Sequence, residues 1–115
     1  MLEKLISKLN TCDLVKPLLP KEPIFITCYV NEKRDHYVLT NSGLNRCENS
    51  SERWNLMIRG AQDQLMELMK GELRLQQLMK LKVIQVEGKY RDILRLESIL
   101  ALSLYNSENS LTSDN

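Results

Sequence analysis

Trp54-Asn55-Leu56-Met57-Ile58-Arg59-Gly60-Ala61-Gln62-Asp63-Gln64-Leu65-Met66-Glu67-Leu68-Met69 is the stretch on which the fold turns. Trp54, Ile58, Ala61, Leu65 and Leu68 follow one another at alternating steps of four and three, the spacing that lines side chains along one side of an α-helix. Met57 and Met69 widen that stripe beyond the narrow seam of a coiled coil. Read in this way, the stretch predicts a long amphipathic helix, and Leu75, Met79, Val83 and Val86 extend the same side as far as Gly88. Gly60 and Gly71 count against an uninterrupted helix, each costing about 1 kcal/mol relative to Ala. A break or a close helix contact is expected at Gly71.

Downstream, Leu81 to Leu96 reads two ways. Val83, Ile84 and Val86 suit a strand and Glu87-Gly88-Lys89 a hairpin turn, which would give a mixed four-stranded sheet. Periodicity favours helix. Ile93, Leu96, Leu100 and Leu104 form one face of a last helix, with Leu94, Ala101 and Tyr105 beside it. From residue 106 to 115 the chain is polar, with too little apolar surface to offset ordering entropy. The expected organisation is a single small domain over 1–105 and a disordered tail over 106–115.

Upstream, Leu2, Leu5, Ile6 and Leu9 mark a short amphipathic helix ending near Asn10 or Thr11. Pro17, Pro20 and Pro23 then break helical continuation, leaving an apolar connector. From Ile24 to Val30 the side chains alternate, with Ile24, Ile26, Cys28 and Val30 on one face and Phe25, Thr27 and Tyr29 on the other. A second strand is expected from about His36 to Thr40. The intervening Asn31-Glu32-Lys33-Arg34-Asp35 closes an antiparallel hairpin without naming a turn type, and Asn41-Ser42-Gly43 ends it. Asn49, Ser50 or Ser51 is the expected cap of the following helix. The predicted fold class is therefore α+β and helix-dominated: a short N-terminal helix, an antiparallel β-hairpin, then long C-terminal helices forming a helical hairpin or bundle.

Composition narrows the function. The chain has 115 residues, 43% of them hydrophobic, with 16 Lys and Arg against 15 Asp and Glu, so no strong overall field recruits nucleic acid or anionic lipid. No apolar run approaches the length of a membrane span. Three cysteines, Cys12, Cys28 and Cys47, form an odd set without CxxC spacing, and with no apolar leader after Met1 the expectation is a cytoplasmic protein with free thiols. Cys28 is expected to pack as a small hydrophobe. A zinc site from Cys12, Cys28, His36 and Cys47 is the sharper reading, against which stands the absence of closely spaced ligand pairs.

His36 is the single histidine and has no nucleophile motif near it; GxSxG, HExxH, P-loop and dinucleotide fingerprints are absent. A non-enzyme without metal or cofactor is expected. Asp63 and Glu67 are expected to pair with Arg59 and Lys70 on a solvated helix face. The apolar surface from Trp54 to Leu68 and from Ile93 to Leu104 exceeds what a short helix and a hairpin cover. It predicts a homodimer and a protein-protein interaction module, an adaptor, inhibitor or chaperone-like regulator meeting a protein client. Its interface would be built on Trp54, Ile58, Leu65, Leu68, Met69 and Leu100. The alternative is a nucleic-acid-associated regulator using Lys80, Lys82, Lys89, Arg91 and Arg95, with Tyr90 available for stacking. Membrane-surface binding by the N-terminal helix is weakened by Glu3 and by the lack of Trp or Phe on it, so packing onto the domain is expected instead.

Overall fold

The structure, a computed structural model, describes residues 3–47 and 54–105. Leu2, the expected cap at Asn49 to Ser51 and the expected tail over 106–115 lie outside the described residues.

Strand β1 (Ile24–Val30) occupies the span that its alternation predicts, with Ile24, Ile26, Cys28 and Val30 all buried. The chain reverses through two residues, Asn31 and Glu32, with φ of +48° and +73°. Positive φ at both central positions is the turn that matches the twist of flanking strands. Strand β2 (Lys33–Thr40) therefore begins earlier than His36, and Val30 faces Lys33. A second tight turn, in which the Ser42 N–H donates to Thr40 Oγ1 at 3.1 Å, leads into β3 (Gly43–Arg46), a strand the sequence reading did not anticipate.

Trp54 to Leu68 is not one helix. Leu56–Gly60 forms β4, which runs parallel to β1, and Gln62–Met69 forms α2. Leu56, Met57 and Ile58 are consecutive and all at most 4% exposed, because a strand inside a sheet can bury both of its faces. The four-and-three spacing is a coincidence that spans two elements. Trp54 precedes the strand, Ile58 lies in it, Ala61 caps α2, and only Leu65 and Leu68 are helical.

The break expected at Gly71 is present. Gly71, at φ +77°, donates to the Leu68 carbonyl at 3.0 Å, and the Glu72 N–H reaches the Glu67 carbonyl at 3.1 Å, the paired bonds of a left-handed helix cap. Helix α3 (Leu75–Lys80) ends in the same way at Lys82, φ +61°, with Lys82 N–H on Met79 and Val83 N–H on Leu78. Residues 81–96 are then neither a helix nor a hairpin. Ile84–Gly88 forms β5, antiparallel to β4, and Tyr90–Leu100 forms α4, followed by a π-helical turn over Ala101–Tyr105.

The result is a five-stranded mixed sheet of order β3-β2-β1-β4-β5, an α/β fold with substantial sheet in place of the expected helix-dominated hairpin or bundle. One sheet face carries Ile24, Ile26, Cys28, Tyr37, Leu39, Leu44, Leu56, Ile58 and Ile84, and these join one core with side chains from every helix. Helix α1 (Glu3–Asn10), which the N-terminal spacing predicts, inserts Leu5 and Leu9. Its first turn is held by Arg46, which bridges Glu3 and Asp35 at 3.0 Å each. The 3-10 helix Asp13–Leu18, with Val15 fully buried, takes the place of the apolar connector. On the opposite sheet face Arg59 lies 4.9 Å from the Tyr29 ring centre and Thr27 Oγ1 is 3.1 Å from His36 Nδ1.

Candidate functional site: an aliphatic interior between sheet and helices

Between the sheet and the helices lies a void whose walls are wholly Leu, Ile and Met. The sheet contributes Ile26, Leu39, Leu44 and Ile58, α4 contributes Leu96 and Leu100, and the other helices contribute the rest. Leu5 and Leu9 are the buried residues of α1, and Leu65, Leu68 and Met69 are those of α2. All five line the void. All the buried residues of these two helices therefore belong to the walls of this space.

Its volume is about 20 Å³ of room for the centre of a water-sized sphere, enough for about one water. Water needs polar partners to stay in such a place, and no lining side chain offers one. The space suits a hydrocarbon group. In this structure it is nearly closed, whereas sites for small molecules span about 300–1,000 Å³.

Proton-transfer chemistry is absent from these walls. Cys28, on the same sheet face, has its thiol pushed up to about 12, first by burial and then by the nearby negative charge of Asp35, so it stays a neutral thiol at neutral pH. That agrees with the small-hydrophobe reading of Cys28. Among the described residues no group of three or more His, Cys, Asp or Glu side chains is placed to hold a metal ion. No helix among them is long and apolar enough to cross a membrane.

The structure separates the residues singled out from the sequence. Ile58, Leu65, Leu68, Met69 and Leu100 are buried inside the chain's own core, while Trp54 is 39% exposed and does not sit on a helical seam. Most of the apolar surface that motivated a second copy is thus taken up within one chain, while Trp54, Met66 and Leu94 remain exposed. Of the cations, Lys80 lines a groove between α3 and α4 with Glu97, whereas Lys89, Arg91 and Arg95 line another groove and Lys82 occupies the cap of α3. They do not form one basic face. Arg59 is on β4, so the expected helical pairing of Arg59 with Asp63 does not arise. Sequence reasoning missed Ile26, Leu39 and Leu44 as site residues, because their role appears only once a sheet places them opposite α1 and α2.

No protein-family model matches this sequence, and no curated protein matches it. Solved structures do. The UbiJ-SCP2 ubiquinone synthesis protein is similar with a TM-score of 0.65 at 14% identity, over 86% of this chain and 91% of that one. Sterol carrier protein domain 2 of Helicoverpa armigera gives 0.62 at 13% identity, over 87% and 83%. Palmitated SCP2L2 from Aedes aegypti gives 0.61 at 12% identity, over 86% and 89%. The chain thus has an SCP2-like fold. These likenesses contradict the helical-bundle expectation, and with it the adaptor reading and its nucleic-acid alternative lose their structural basis.

Proposed function

We propose that this protein binds the hydrocarbon chain of a lipid between its sheet and its helices, as a non-catalytic carrier or presenting protein. The observation that carries the reading is the void itself: its walls are entirely aliphatic side chains and Met, at the junction of α1, α2, α4 and the sheet centre. The fold it shares with a sterol carrier domain and with a palmitated protein supports the same reading. Binding enlarges a nearly closed space; the buried residues of both α1 and α2 line it, and since α1 is tied to the sheet through Asn10–Leu44 and Glu3–Arg46, α2 is the element expected to move.

Titration with a fluorescent C16–C18 fatty acid, followed by displacement with unlabelled oleate, tests the reading. Saturable binding of one chain per protein, reduced by Leu68→Trp, which fills the space, is expected. Absence of saturable binding at tens of micromolar lipid, with the wild type folded, would overturn it.

A further inference from the structure

A second space lies outside the aliphatic interior. It is a groove of about 530 Å³ between the Pro17–Ile24 segment and the first turns of α4. Its charged walls are Lys21, Lys89, Arg91 and Arg95 against Glu22 and Asp92, so cations outnumber anions, and the positive end of the α4 dipole adds to them. Arg95 is fixed in place by donating to the Leu18 carbonyl, which ties the 3-10 helix to α4.

Asp92 is the unusual wall. It is 9% exposed, and no described residue hydrogen-bonds or ion-pairs with its carboxylate. Its carboxylate oxygens are not among the fully buried ones and Asp92 lines the groove, so the group offers an acceptor there that a ligand hydroxyl can meet.

The groove and the interior are two ends of one layer. Asp92, Leu96 and Leu100 follow at helical steps of four on α4; Asp92 lines the groove, and Leu96 and Leu100 line the interior. On β1 the same order holds, with Ile24 at the groove and Ile26 at the interior.

We infer that the groove receives the headgroup of a single-chain anionic lipid bearing a free hydroxyl beside its phosphate, the tail running into the aliphatic interior. Lys21, Lys89 and Arg91 meet the phosphate, and Asp92 accepts the hydroxyl. This rests on the interior being the tail site. Lysophosphatidate is the simplest probe with that chemistry.

The test compares four probes below their micellar concentrations, by calorimetry or by displacement of a fluorescent fatty acid: oleoyl lysophosphatidate, oleyl phosphate without the hydroxyl, oleyl alcohol, and glycerol 3-phosphate without the tail. The wild type is expected to bind lysophosphatidate about tenfold more tightly than oleyl alcohol, as one or two charge-assisted bonds supply. Lys21→Glu with Arg91→Glu, both on exposed side chains, erases that preference and leaves oleyl alcohol binding unchanged. Asp92→Ala removes the advantage of lysophosphatidate over oleyl phosphate. Should the double variant not fold, Arg91→Gln alone lowers the preference in the same direction. Equal binding of lysophosphatidate and oleyl alcohol by the wild type overturns the headgroup site and leaves the tail site standing, whereas failure of every oleyl and oleoyl compound overturns the tail site itself. Saturable binding of glycerol 3-phosphate alone at micromolar concentration would assign the groove to a free phosphate ester and overturn its lipid assignment.

Discussion

The side-chain amide of Asn10 pairs with both backbone groups of Leu44: its Nδ2 donates to the Leu44 carbonyl and its Oδ1 accepts the Leu44 N–H, each at 2.9 Å. Leu44 belongs to the edge strand β3, whose free edge is otherwise a template for pairing with another chain. One residue at the end of α1 thus takes the place of a sixth strand. Gly43 makes room for it, since a Cβ there would run into the Asn10 side chain at φ +122°. Asn10→Ala is expected to lower stability by about 1–3 kcal/mol, the cost of two lost bonds and two backbone groups left to find water. Urea unfolding measures it, and an unchanged midpoint would show that the amide contributes nothing.

Lys82 holds the left-handed cap of α3 at φ +61°, a conformation in which a side chain is unfavourable. Lys82→Gly keeps the two cap bonds and removes that cost, so stability should rise by about 1 kcal/mol. A thermal midpoint that falls instead would mean that the lysine side chain contributes more than its backbone loses.

Glu97 has one carboxylate oxygen buried without a hydrogen-bond partner among the described residues. Burial raises its pKa above 4.5, more than the Arg74 charge and the Gln76 N–H lower it. The fold therefore binds this proton more tightly than the unfolded chain does. The contribution of Glu97 to stability is complete below the unfolded value and is lost as pH rises through the folded one. Glu97→Gln should be more stable than the wild type at pH 7, with the advantage shrinking as the pH is lowered toward 4.5. A constant difference across pH 4 to 8 would contradict this.

Cys28 is fully buried while Cys12 and Cys47 are partly exposed. Ellman's reagent at pH 8 should react with the last two in the native protein and with all three after unfolding. Because the folded Cys28 thiol is pushed up to about 12 from 9.0, its contribution to stability is present below pH 9 and lost on raising the pH further. Rapid labelling of Cys28 in the native state would place it outside the core.

Leu65 is 1% exposed and lines the aliphatic void. Leu65→Glu buries an unpaired carboxylate, and because its neighbours belong to the same chain the expected result is unfolding, not dissociation of a folded subunit. Circular dichroism with light scattering separates the two. A folded, smaller species would restore an intermolecular seam.

Strand β1 was legible because one of its faces meets the helices and the other does not, so Ile24, Ile26, Cys28 and Val30 stand out by alternation. Strand β4 was not. Leu56, Met57 and Ile58 are all buried, which erases alternation, and Ala61, Leu65 and Leu68 of the cap and helix that follow continue the spacing that Trp54 and Ile58 begin. Strand β5 exposes Gln85 and Glu87 but has only Ile84 fully buried, too little pattern to outweigh the helical run leading into it. The aliphatic void was illegible for the same reason, since its sheet wall needs β1, β2, β3 and β4 side by side. The cations at 89, 91 and 95 were visible as a basic window, but their shared groove depends on the Pro17–Ile24 segment folding back against α4.

The β1–β4 pairing is parallel and joins Ile26 to Leu56, whereas the turns from β1 through β3 are tight. Residues 24–46 can meet their strand partners through local closure, and α1 and the 3-10 helix precede them, but the rest of their apolar cover comes from α2, α3 and α4, all later in the chain. Contacts between distant segments form slowly because the loop entropy comes first. During synthesis the three-stranded ribbon of the first half is therefore expected to have only α1 and the 3-10 helix to cover its greasy side, which stays partly bare. It is in that interval, before residue 100 has emerged, that the chain is most exposed to aggregation.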